Sequence, residues 1–420
     1  MAVKIFLFIV TNYILSMPIL QDYRGNALDV SLLRKSFVIA SPKGVAIYVF
    51  SFTNVVDCFA TLAMTSASSF NVTGFVLFSF FLYYKFMILC SGPMATISHP
   101  AFRTLIEKFG SCDEYFTEMI NAGTLLTGGP FEKYYIDPAP VPSKVVWQLT
   151  GHDADNMKAA AVKLAELPGI GIDINMGCAA PDIYRYRAGI AWMLKDRIET
   201  QAMVRAVRSV VPSDKRLSVK LRLGDDNFTD DGFFDFCDML VGEGVELLTL
   251  HPRTKKEKLV RPPRYEYCQR LAERYKGRVP VYLNGNVKDS ASFRNAVARC
   301  PDVAGVMISR AAVQRPWIFK TLAVPELVEG GEGLHIDMEQ LCLDYISLIE
   351  QYQPPEFYKT RLQRFFTYFC QNFKFAHYAQ TQFVNAAGKG NDALRQAIKE
   401  FFIKCPEERF FSFANIPFLC

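Results

Sequence analysis

The chain has 420 residues, of which half are hydrophobic, and its formal net charge at pH 7 is +5. This length fits one large domain with smaller additions, and the mildly basic charge permits an anionic partner without requiring one. Eleven cysteines and five histidines are scattered along the chain without zinc-like spacing. We therefore predict free thiols in a reducing cytoplasm, no metal site and no stable protein partner.

The first 84 residues differ in character from the rest and contain three apolar runs, Ile5–Val10, Val45–Phe52 and Phe75–Tyr84. Three interpretations stay open for this extension. It contains a signal peptide over Met1–Leu20, a membrane helix over Val45–Met64 or Phe75–Cys90, or an upstream segment outside the fold with the native start nearer Met87. Polar residues interrupt the first two candidates, and we assign no function to the segment.

Residues 85–325 alternate short apolar runs with amphipathic stretches. The eight runs predicted to be buried parallel strands are Phe86–Ser91, Tyr115–Ile120, Lys144–Leu149, Gly171–Asn175, Leu217–Leu221, Leu247–His251, Val279–Asn284 and Ala304–Ser309. Helices are predicted over Asp153–Leu167, Thr200–Val211, Phe233–Glu243 and Ser290–Ala298. Eight β–α units in this order predict a TIM barrel. A doubly wound open sheet is the alternative, but no GxGxxG motif opens a helix here.

Polar side chains follow almost every predicted strand, at the end where barrels carry out their chemistry. Lys220 ends the fifth strand, where a buried ammonium needs an electron-rich partner such as a reduced flavin, unless it reaches out to the rim. Asn284-Gly285-Asn286 and Ser309-Arg310 follow the last two strands, where barrels commonly bind phosphate, although ordinary tight turns would look similar. Cys178 follows the fourth strand and Asn175, and a thiol in such a loop is a nucleophile, an acid or an inert core residue.

These motifs together resemble the tRNA-dihydrouridine synthases. The matching segments are Ser91–Ala95, His99–Arg103, Thr117–Met119, Gln148–Gly151, Ile172–Cys178, Ala188–Lys195, Val219–Gly224, His251–Thr254, Asn284–Val287, Met307–Arg310 and Pro316–Phe319. The chain departs from the family pattern at four positions. Ala179 stands where the family usually has proline, Ser309 and Thr96 stand where it usually has glycine, and Gly92 stands where it usually has alanine.

The resemblance implies a two-stage reaction in which NADPH or NADH reduces FMN, a hydride passes to C6 of a uracil in tRNA, and Cys178 protonates C5. Such an acid is needed because hydride addition at C6 builds negative charge at C5. It also makes Asn175 a candidate for positioning the uracil. Arg253 begins a basic stretch that directly follows the sixth strand at the active-site face, and this placement predicts that it contacts the RNA. The residues expected by this resemblance to bind FMN are Pro93, Met94, Ala95, Gln148, Lys220, His251, Asn284, Gly285, Asn286, Ser309 and Arg310.

Residues 335–410 are predicted to form a small α-helical domain, with helices over Met338–Tyr352, Phe357–Phe373 and Asn391–Lys404. From Gln351 to the end, the chain has nine basic and five acidic residues. A second basic stretch runs from Arg253 to Arg264. The resemblance implies that this domain binds tRNA, and the alternative is a capping bundle with a solvated basic face. Two rival functions stay open: an FMN-dependent barrel that acts on a small molecule, like a dihydroorotate dehydrogenase or an enoate reductase, and a non-catalytic RNA-binding barrel.

Overall fold

The computed structural model describes residues 35–40, 47–52, 87–257, 260–323 and 335–412. The chain divides into two units, Met1–Met87 and Ile88–Cys420. In the first unit, strands β1 (Lys35–Ala40) and β2 (Ile47–Phe52) form an antiparallel hairpin. The proposed signal peptide and the apolar runs Ile5–Val10 and Phe75–Tyr84 lie outside the described residues, as does most of the segment Val45–Met64 around β2.

The second unit begins with a closed barrel of eight parallel strands, which confirms the predicted fold class. They are β3 (Ile88–Ser91), β4 (Glu114–Phe116), β6 (Val145–Thr150), β7 (Gly171–Met176), β8 (Arg216–Leu221), β9 (Leu247–Leu250), β10 (Val281–Asn284) and β11 (Gly305–Ile308). Each strand pairs with the next, and β11 pairs with β3 to close the ring. Strands β6, β7 and β9 are buried along their whole length, which explains why apolar residues dominate them, although β6 and β7 also carry the buried polar residues Gln148, Asp173 and Asn175.

The second predicted strand, Tyr115–Ile120, is split in the structure. Strand β4 ends at Phe116, and the two-residue strand β5 (Ile120–Asn121) then pairs separately with β6. The intervening residues turn at the barrel rim, where the Thr117 hydroxyl accepts a hydrogen bond from the Gln148 backbone N–H at 2.9 Å. The polar pair Thr117-Glu118 lies at this break, inside the stretch that was predicted as one strand.

Helices separate the strands and cover the outside of the barrel. They are α1 (Pro100–Lys108), α2 (Ala122–Thr127), α3 (Ala154–Ala165), α4 (Pro181–Arg185), α5 (Arg197–Arg208), α6 (Asp230–Gly242), α7 (Tyr265–Arg274), α8 (Ser290–Arg299), α9 (Arg310–Gln314) and α10 (Ile318–Ala323). Side-chain caps fix several starts: Asp153 accepts a hydrogen bond from the Asn156 N–H, and Asp289 forms a capping box with Ser292.

The N-terminal ends of the strands, called the base of the barrel here, enclose a buried ion pair. Both guanidinium Nη atoms of Arg216 donate to the two carboxylate oxygens of Glu114, at 2.8 and 2.7 Å. The Tyr282 hydroxyl donates to the same carboxylate at 3.0 Å. Phe116, Val146, Leu247 and Met307 form the apolar cluster around it. The base is therefore a filled core with satisfied charges.

The C-terminal part of this unit is helical, as predicted. It consists of α11 (Met338–Tyr352), α12 (Pro355–Phe369), α13 (Ala376–Ala387) and α14 (Asn391–Lys404), with strands β12 (His335–Asp337) and β13 (Phe410–Ser412) paired beside them. Helix α13 was not predicted, because its polar residues dilute the apolar spacing. A row of aromatic contacts, such as Tyr345 stacked on Phe365 at 3.8 Å, fills the interior of the bundle.

One buried ion pair ties the helical region to the barrel. Arg361 of α12 donates to the Glu118 carboxylate, which lies between β4 and β5. Both side chains are buried, and the Arg361 guanidinium also lies over the rings of Phe357 and Tyr135. Arg361 is one of the nine basic residues counted from Gln351 onward, and its burial against Glu118 removes it from the basic surface of this region. None of the helices in the described part of the chain has the length and hydrophobicity that crossing a membrane requires.

Candidate functional site

A chain of hydrogen bonds connects the interior of the barrel to Cys178 at the C-terminal strand ends, called the mouth here. Ser218 and the Gln148 amide donate to the two carboxylate oxygens of Asp173, each at 2.7 Å. The Asn175 amide donates to the Gln148 carbonyl oxygen at 2.8 Å. The side-chain oxygen Oδ1 of Asn175 in turn accepts a hydrogen bond from the backbone N–H of Cys178 at 2.9 Å. Every link starts from a strand residue, so the rigid sheet fixes where the Cys178 loop begins.

Asp173 and Lys220 are the charged groups at the centre of the mouth. Burial raises the pKa of Asp173 to about 6, although the hydrogen bonds from Gln148 and Ser218 and the nearby Lys220 work against that rise. Burial, assisted by the charge of Arg222, lowers the pKa of Lys220 to about 8. A buried ammonium with this depressed pKa is stabilised when an electron-rich ligand approaches it.

A cluster of cations occupies the mouth from β8 to β11. His251 is buried, and burial together with Lys220, Arg222, Arg253 and Arg310 lowers its pKa to about 2, so it is neutral. Its Nε2 atom accepts a hydrogen bond from Arg253 Nη1 at 2.8 Å. None of the described carboxylates forms a salt bridge with Lys220, Arg253 or Arg310. Such a surplus of positive charge indicates an anion-binding site.

The backbone of Asn284-Gly285-Asn286, at and after the end of β10, forms a turn beside this cluster that a ligand can approach closely. This turn is called the glycine cradle here. Gly285 has φ +140, and a Cβ there would stand 3.2 Å from the His251 ring. The Tyr265 hydroxyl fixes the turn by donating to the Gly285 carbonyl at 2.8 Å, and Asn286 has φ +58. Asn284 donates its amide to the Met307 carbonyl at 2.8 Å, which joins β10 to β11. A positive φ at position 285 requires glycine and lets a ligand approach the backbone closely.

Two departures from the family pattern compensate each other in space. Gly92 and Ser309 face each other, since a Cβ at position 92 would lie 2.3 Å from Ser309 Oγ and 2.9 Å from Met307 Cγ. In the usual family pattern, the methyl group of alanine at position 92 has room because position 309 is glycine. In this chain the smaller residue, glycine, is at position 92 and the larger one, serine, is at position 309. The third departure is not compensated in the same way: Thr96 adopts φ +66, a conformation that favours the usual glycine.

Cys178 is distinguished from the other cysteines by exposure. Among the nine described cysteines, all free, only Cys178 and Cys405 are not buried. The loop that begins at Cys178 ends beside the same residue. The Ile190 N–H donates to the Cys178 backbone carbonyl at 2.9 Å, and Gly189, with φ +62, packs against Cys178. A partly exposed thiol at a barrel mouth is placed to reach a ligand, whereas the buried thiols are core residues.

The structure brings most of the predicted residues to this mouth. Pro93, Met94 and Ala95 lie in the rim turn after β3, which Ser98 holds by accepting the Met94 N–H at 2.9 Å. Ser309 and Arg310 begin α9, and the Arg310 side chain is exposed. Asp173 and Ser218 were missed as site residues. Asp173 stood in the quoted motif, and its signal was a carboxylate inside an otherwise apolar strand.

Arg253 lies deeper than its predicted RNA contact would suggest. It is 1% exposed, and its guanidinium donates to His251, to the Arg261 carbonyl at 2.6 Å and to the Asn286 side chain at 3.1 Å. Its role in substrate binding stays a prediction. Elsewhere in this basic stretch, Lys256 pairs with Asp226 and Arg264 with Glu257, so the charge available to a ligand is smaller than the sequence count.

The donor set fits a flavin mononucleotide. The cradle and the uncompensated cations suit its phosphate, and the depressed pKa of Lys220 suits an electron-rich ring. Gln148 and Asp173 provide a rigid polar floor beside Lys220. Among the described residues, no group of three or more His, Cys, Asp or Glu side chains is placed to hold a metal ion.

Comparison with known proteins gives a consistent result. The family model for dihydrouridine synthase matches residues 89–402. A probable tRNA-dihydrouridine synthase of Aquifex aeolicus is 30% identical over 267 residues, covering 63% of this chain and 80% of that protein. A tRNA-dihydrouridine(16) synthase of Aquipseudomonas alcaligenes is 28% identical over 290 residues, covering 66% and 89%. An old yellow enzyme homologue from Zymomonas mobilis aligns over 64% of this chain and 94% of that chain with a TM-score of 0.40 and 12% identity, which is too distant to carry an argument.

Proposed function

Because this chain belongs to the dihydrouridine synthase family, an oxidoreductase family that acts on uridines of tRNA, we propose that it performs the reduction at the mouth of its barrel with FMN and NADPH or NADH. The observation that carries the proposal is the juxtaposition of two halves of the mouth. One half presents an accessible thiol on a fixed loop, and the other presents cations with a glycine cradle.

The cationic half is the proposed FMN site. Arg310 and the backbone around Gly285, Asn286 and Ser309 suit the phosphate, and Asn284 and His251 hold that backbone in place. Lys220 and Gln148 lie further in and suit the ring, while Pro93, Met94 and Ala95 close the site from the β3 rim. When bound, FMN supplies the hydride, and the protein residues supply position and charge. The described contacts of Arg253 favour a second task for it, which is to brace Asn286 and His251.

The thiol half is the proposed proton donor. Addition of hydride at C6 of a uracil leaves negative charge at C5, so an acid must deliver a proton there. Cys178 carries that proton on Sγ, and the bond from its N–H to Asn175 keeps the loop at the mouth. Asn175 is bound on both sides, to Gln148 and to the loop, so it positions Cys178 as well as any uracil that reaches it.

The target uridine must leave its stack to enter this mouth, as in other enzymes that act on a base. The RNA around it needs a basic surface. The helical region offers one, but with fewer available basic side chains than the sequence count of nine. Arg361, Arg395 and Arg409 are engaged in ion pairs within the protein. Lys359, Arg364, Lys374, Lys389, Lys399 and Lys404 are exposed and form no salt bridge with other described residues. These six side chains are the proposed phosphate contacts of residues 335–410.

The rival function is reduction of a small molecule by the same flavin site. The test compares oxidation of NADPH and NADH by purified protein with unmodified tRNA, orotate or simple enones as acceptor, and counts dihydrouridine in the tRNA by mass spectrometry. Our proposal requires turnover and dihydrouridine with tRNA. Turnover with an enone or orotate and none with tRNA would contradict it, and protein that takes up no flavin would favour a non-catalytic RNA-binding barrel.

The proposed division of the chain follows from the same site. Residues 85–325 hold the catalytic barrel, residues 335–410 hold the RNA-binding helices, and residues 1–84 contribute nothing to either. The free thiols and the tRNA substrate fit a cytoplasmic enzyme. A variant that begins at Met87 is expected to bind flavin and form dihydrouridine at the rate of the full chain, and loss of either on truncation would contradict this division.

A further inference from the structure

The loop that starts at Cys178 carries a feature that the proposed reaction leaves unused. Between Cys178 and Ile190, which a backbone hydrogen bond joins, the chain makes an excursion whose tip reads Tyr184-Arg185-Tyr186-Arg187. Tyr186 is 60% exposed, and the side chains of Arg185 and Arg187 are 68% and 67% exposed. Exposed aromatic rings between basic residues are typical of surfaces that bind single-stranded nucleic acid.

A cavity of about 220 Å³ lies directly beside this excursion. Tyr186, Ile183 and Asp182 of the 178–190 excursion form one wall. The others are formed by Asn121 at the end of β5, His152 after β6 and Asn156 in the first turn of α3. Ala188, which also lines it, precedes Gly189, and Gly189 packs on Cys178. Cys178 does not itself line the cavity, but the segment Ala188-Gly189 joins the cavity wall to the proposed proton donor.

The chemistry of the lining selects a neutral, planar group. Asp182 is its one carboxylate, and it contains no lysine or arginine, so it does not attract a phosphate. Tyr186 offers an aromatic face, and the amides of Asn121 and Asn156 offer hydrogen bonds to a polar edge. The side-chain oxygen Oδ1 of Asn121 already accepts a hydrogen bond from the Thr124 backbone N–H, which leaves the side-chain NH₂ group of Asn121 as a donor. A volume this far below that of ordinary cofactor pockets suits one ring, not a whole dinucleotide.

We propose that this cavity binds the base of one nucleotide adjacent to the target uridine, with Tyr186 stacked on it. The inference rests on the proposed function, since an RNA strand that brings a uridine to Cys178 must pass over the excursion that Cys178 begins. Single-stranded RNA is commonly read through splayed bases stacked on aromatic side chains. Arg185 and Arg187 do not line the cavity, and each forms an exposed ion pair, with Asp182 and Glu199 respectively. A phosphate on either side of that base would therefore compete with these carboxylates for the two guanidinium groups.

Tyr184 anchors the other side of the excursion. The Lys255 ammonium lies 3.2 Å from the centre of its ring, which joins the 178–190 excursion to the basic stretch after β9. Tyr184 therefore holds the excursion down while Tyr186, whose ring is more exposed, receives the base. This division predicts that the two tyrosines differ: Tyr186 contributes to RNA affinity directly, and Tyr184 contributes by keeping the excursion in place.

The experiment uses a stem-loop RNA that contains the target uridine, once its position has been mapped, and measures both the Kd and the KM for that RNA. Tyr186→Ala is expected to weaken binding about tenfold with kcat unchanged, because stacking is equal in the ground and transition states. Tyr186→Phe keeps the ring and is expected to bind like the unaltered protein. Tyr378→Ala removes another exposed tyrosine, which is 41% exposed, lies on α13 and is not one of the six proposed phosphate contacts, and it serves as the control for loss of an exposed ring.

A second arm replaces the nucleotides flanking the target, one at a time, by abasic sites. At one flank, loss of the base is expected to weaken binding about tenfold in the unaltered protein and in Tyr378→Ala, but little further in Tyr186→Ala. Equal weakening in all three proteins overturns the proposal. A higher KM for NADPH in Tyr186→Ala, with RNA binding unchanged, overturns it too, since the cavity would then hold the reductant. Failure of the unaltered protein to form dihydrouridine refutes the proposed function, whereas the binding arm tests the cavity independently.

Discussion

The base and the mouth of the barrel each bury a carboxylate and a cation, and they treat them differently. At the base, Arg216 binds Glu114 with two parallel hydrogen bonds, and Tyr282 completes the set. At the mouth, Asp173 is satisfied by the neutral donors Gln148 and Ser218, and no described carboxylate forms a salt bridge with Lys220. The base therefore uses its charges for stability, whereas the mouth keeps a cation available for a ligand.

The largest effect that would test this comparison is expected for Lys220→Met. We expect turnover with tRNA to fall at least about 100-fold, because the variant loses the charge that faces the proposed flavin ring. The flavin-free variant is expected to be more stable by roughly 1–3 kcal/mol at pH 7, because it removes a half-buried ammonium whose desolvation the nearby Asp173 offsets only in part. Steady-state kinetics and urea unfolding measure the two effects, and a variant that is both active and less stable would contradict the difference between mouth and base.

The pH dependence of stability sharpens the same prediction. The pKa of Lys220 is about 8 in the folded protein against an ordinary 10.5, so the unfolded chain retains the proton longer. The unfolding free energy of the flavin-free protein should therefore gain a contribution from Lys220 as the pH rises from 8 to 10.5. The difference between the unaltered protein and Lys220→Met isolates this contribution from other titrating groups. A difference that does not vary over this range would contradict the assignment.

The matched change at the base is Arg216→Met, for which we expect the opposite result. Removing Arg216 leaves the Glu114 carboxylate buried without its ion pair, and such changes cost about 3–5 kcal/mol of stability. Turnover per flavin-loaded molecule should be nearly unchanged, since the base does not contact the proposed ligands. Urea unfolding and kinetics normalised to flavin content check both statements, and a variant of normal stability would show that the ion pair does not stabilise the base.

The exchanged pair at the mouth rim gives a smaller effect. Gly92→Ala should destabilise the protein by about 1–2 kcal/mol, because the added methyl group meets Ser309 Oγ and Met307. Ser309→Gly removes Oγ, so the double variant should recover much of the loss, as coupled neighbours do. Thermal unfolding of both single variants and the double variant measures the coupling. Strictly additive losses would show that the two positions do not compensate each other.

The smallest expected effect is a gain in stability at the β3 rim. Thr96 holds a β-branched side chain at φ +66, and its hydroxyl is buried without a partner among the described residues. Thr96→Gly should raise the unfolding free energy by about 1 kcal/mol, because glycine adopts this conformation without strain. Thr96→Ala serves as the control, since it removes the hydroxyl but retains the Cβ. A loss of stability in Thr96→Gly would show that the threonine side chain packs favourably.

The sequence predicted the barrel and most of the mouth because the signals were local. Each parallel strand contains a short apolar run, and polar residues such as Lys220, Asn284 and Arg310 lie at or just beyond the C-terminal ends of their strands. The features it did not predict depend on partners distant in the chain. The burial of Arg361 depends on Glu118, and the compensation of Gly92 depends on Ser309.

Two further features could not be predicted from the sequence, for other reasons. Asp173 looked like one polar residue in an apolar strand, and only the register between β6, β7 and β8 places it against Gln148 and Ser218. The cavity beside Tyr186 is lined by residues from three separate segments, at and after β5, after β6 and after β7, so no single segment carries a pattern for it. Charge counts overstated the RNA-facing surface for a similar reason, because internal ion pairs cannot be read from composition.

The central claim is that Cys178 supplies a proton at a flavin-binding barrel mouth. The most direct measurement compares Cys178→Ala with Cys405→Ala, the other described cysteine that is not buried. We expect Cys178→Ala to retain flavin and its reduction by NADPH while dihydrouridine formation falls about 10²–10⁴-fold, with Cys405→Ala unchanged. Dihydrouridine formation at the normal rate in flavin-loaded Cys178→Ala would contradict the account.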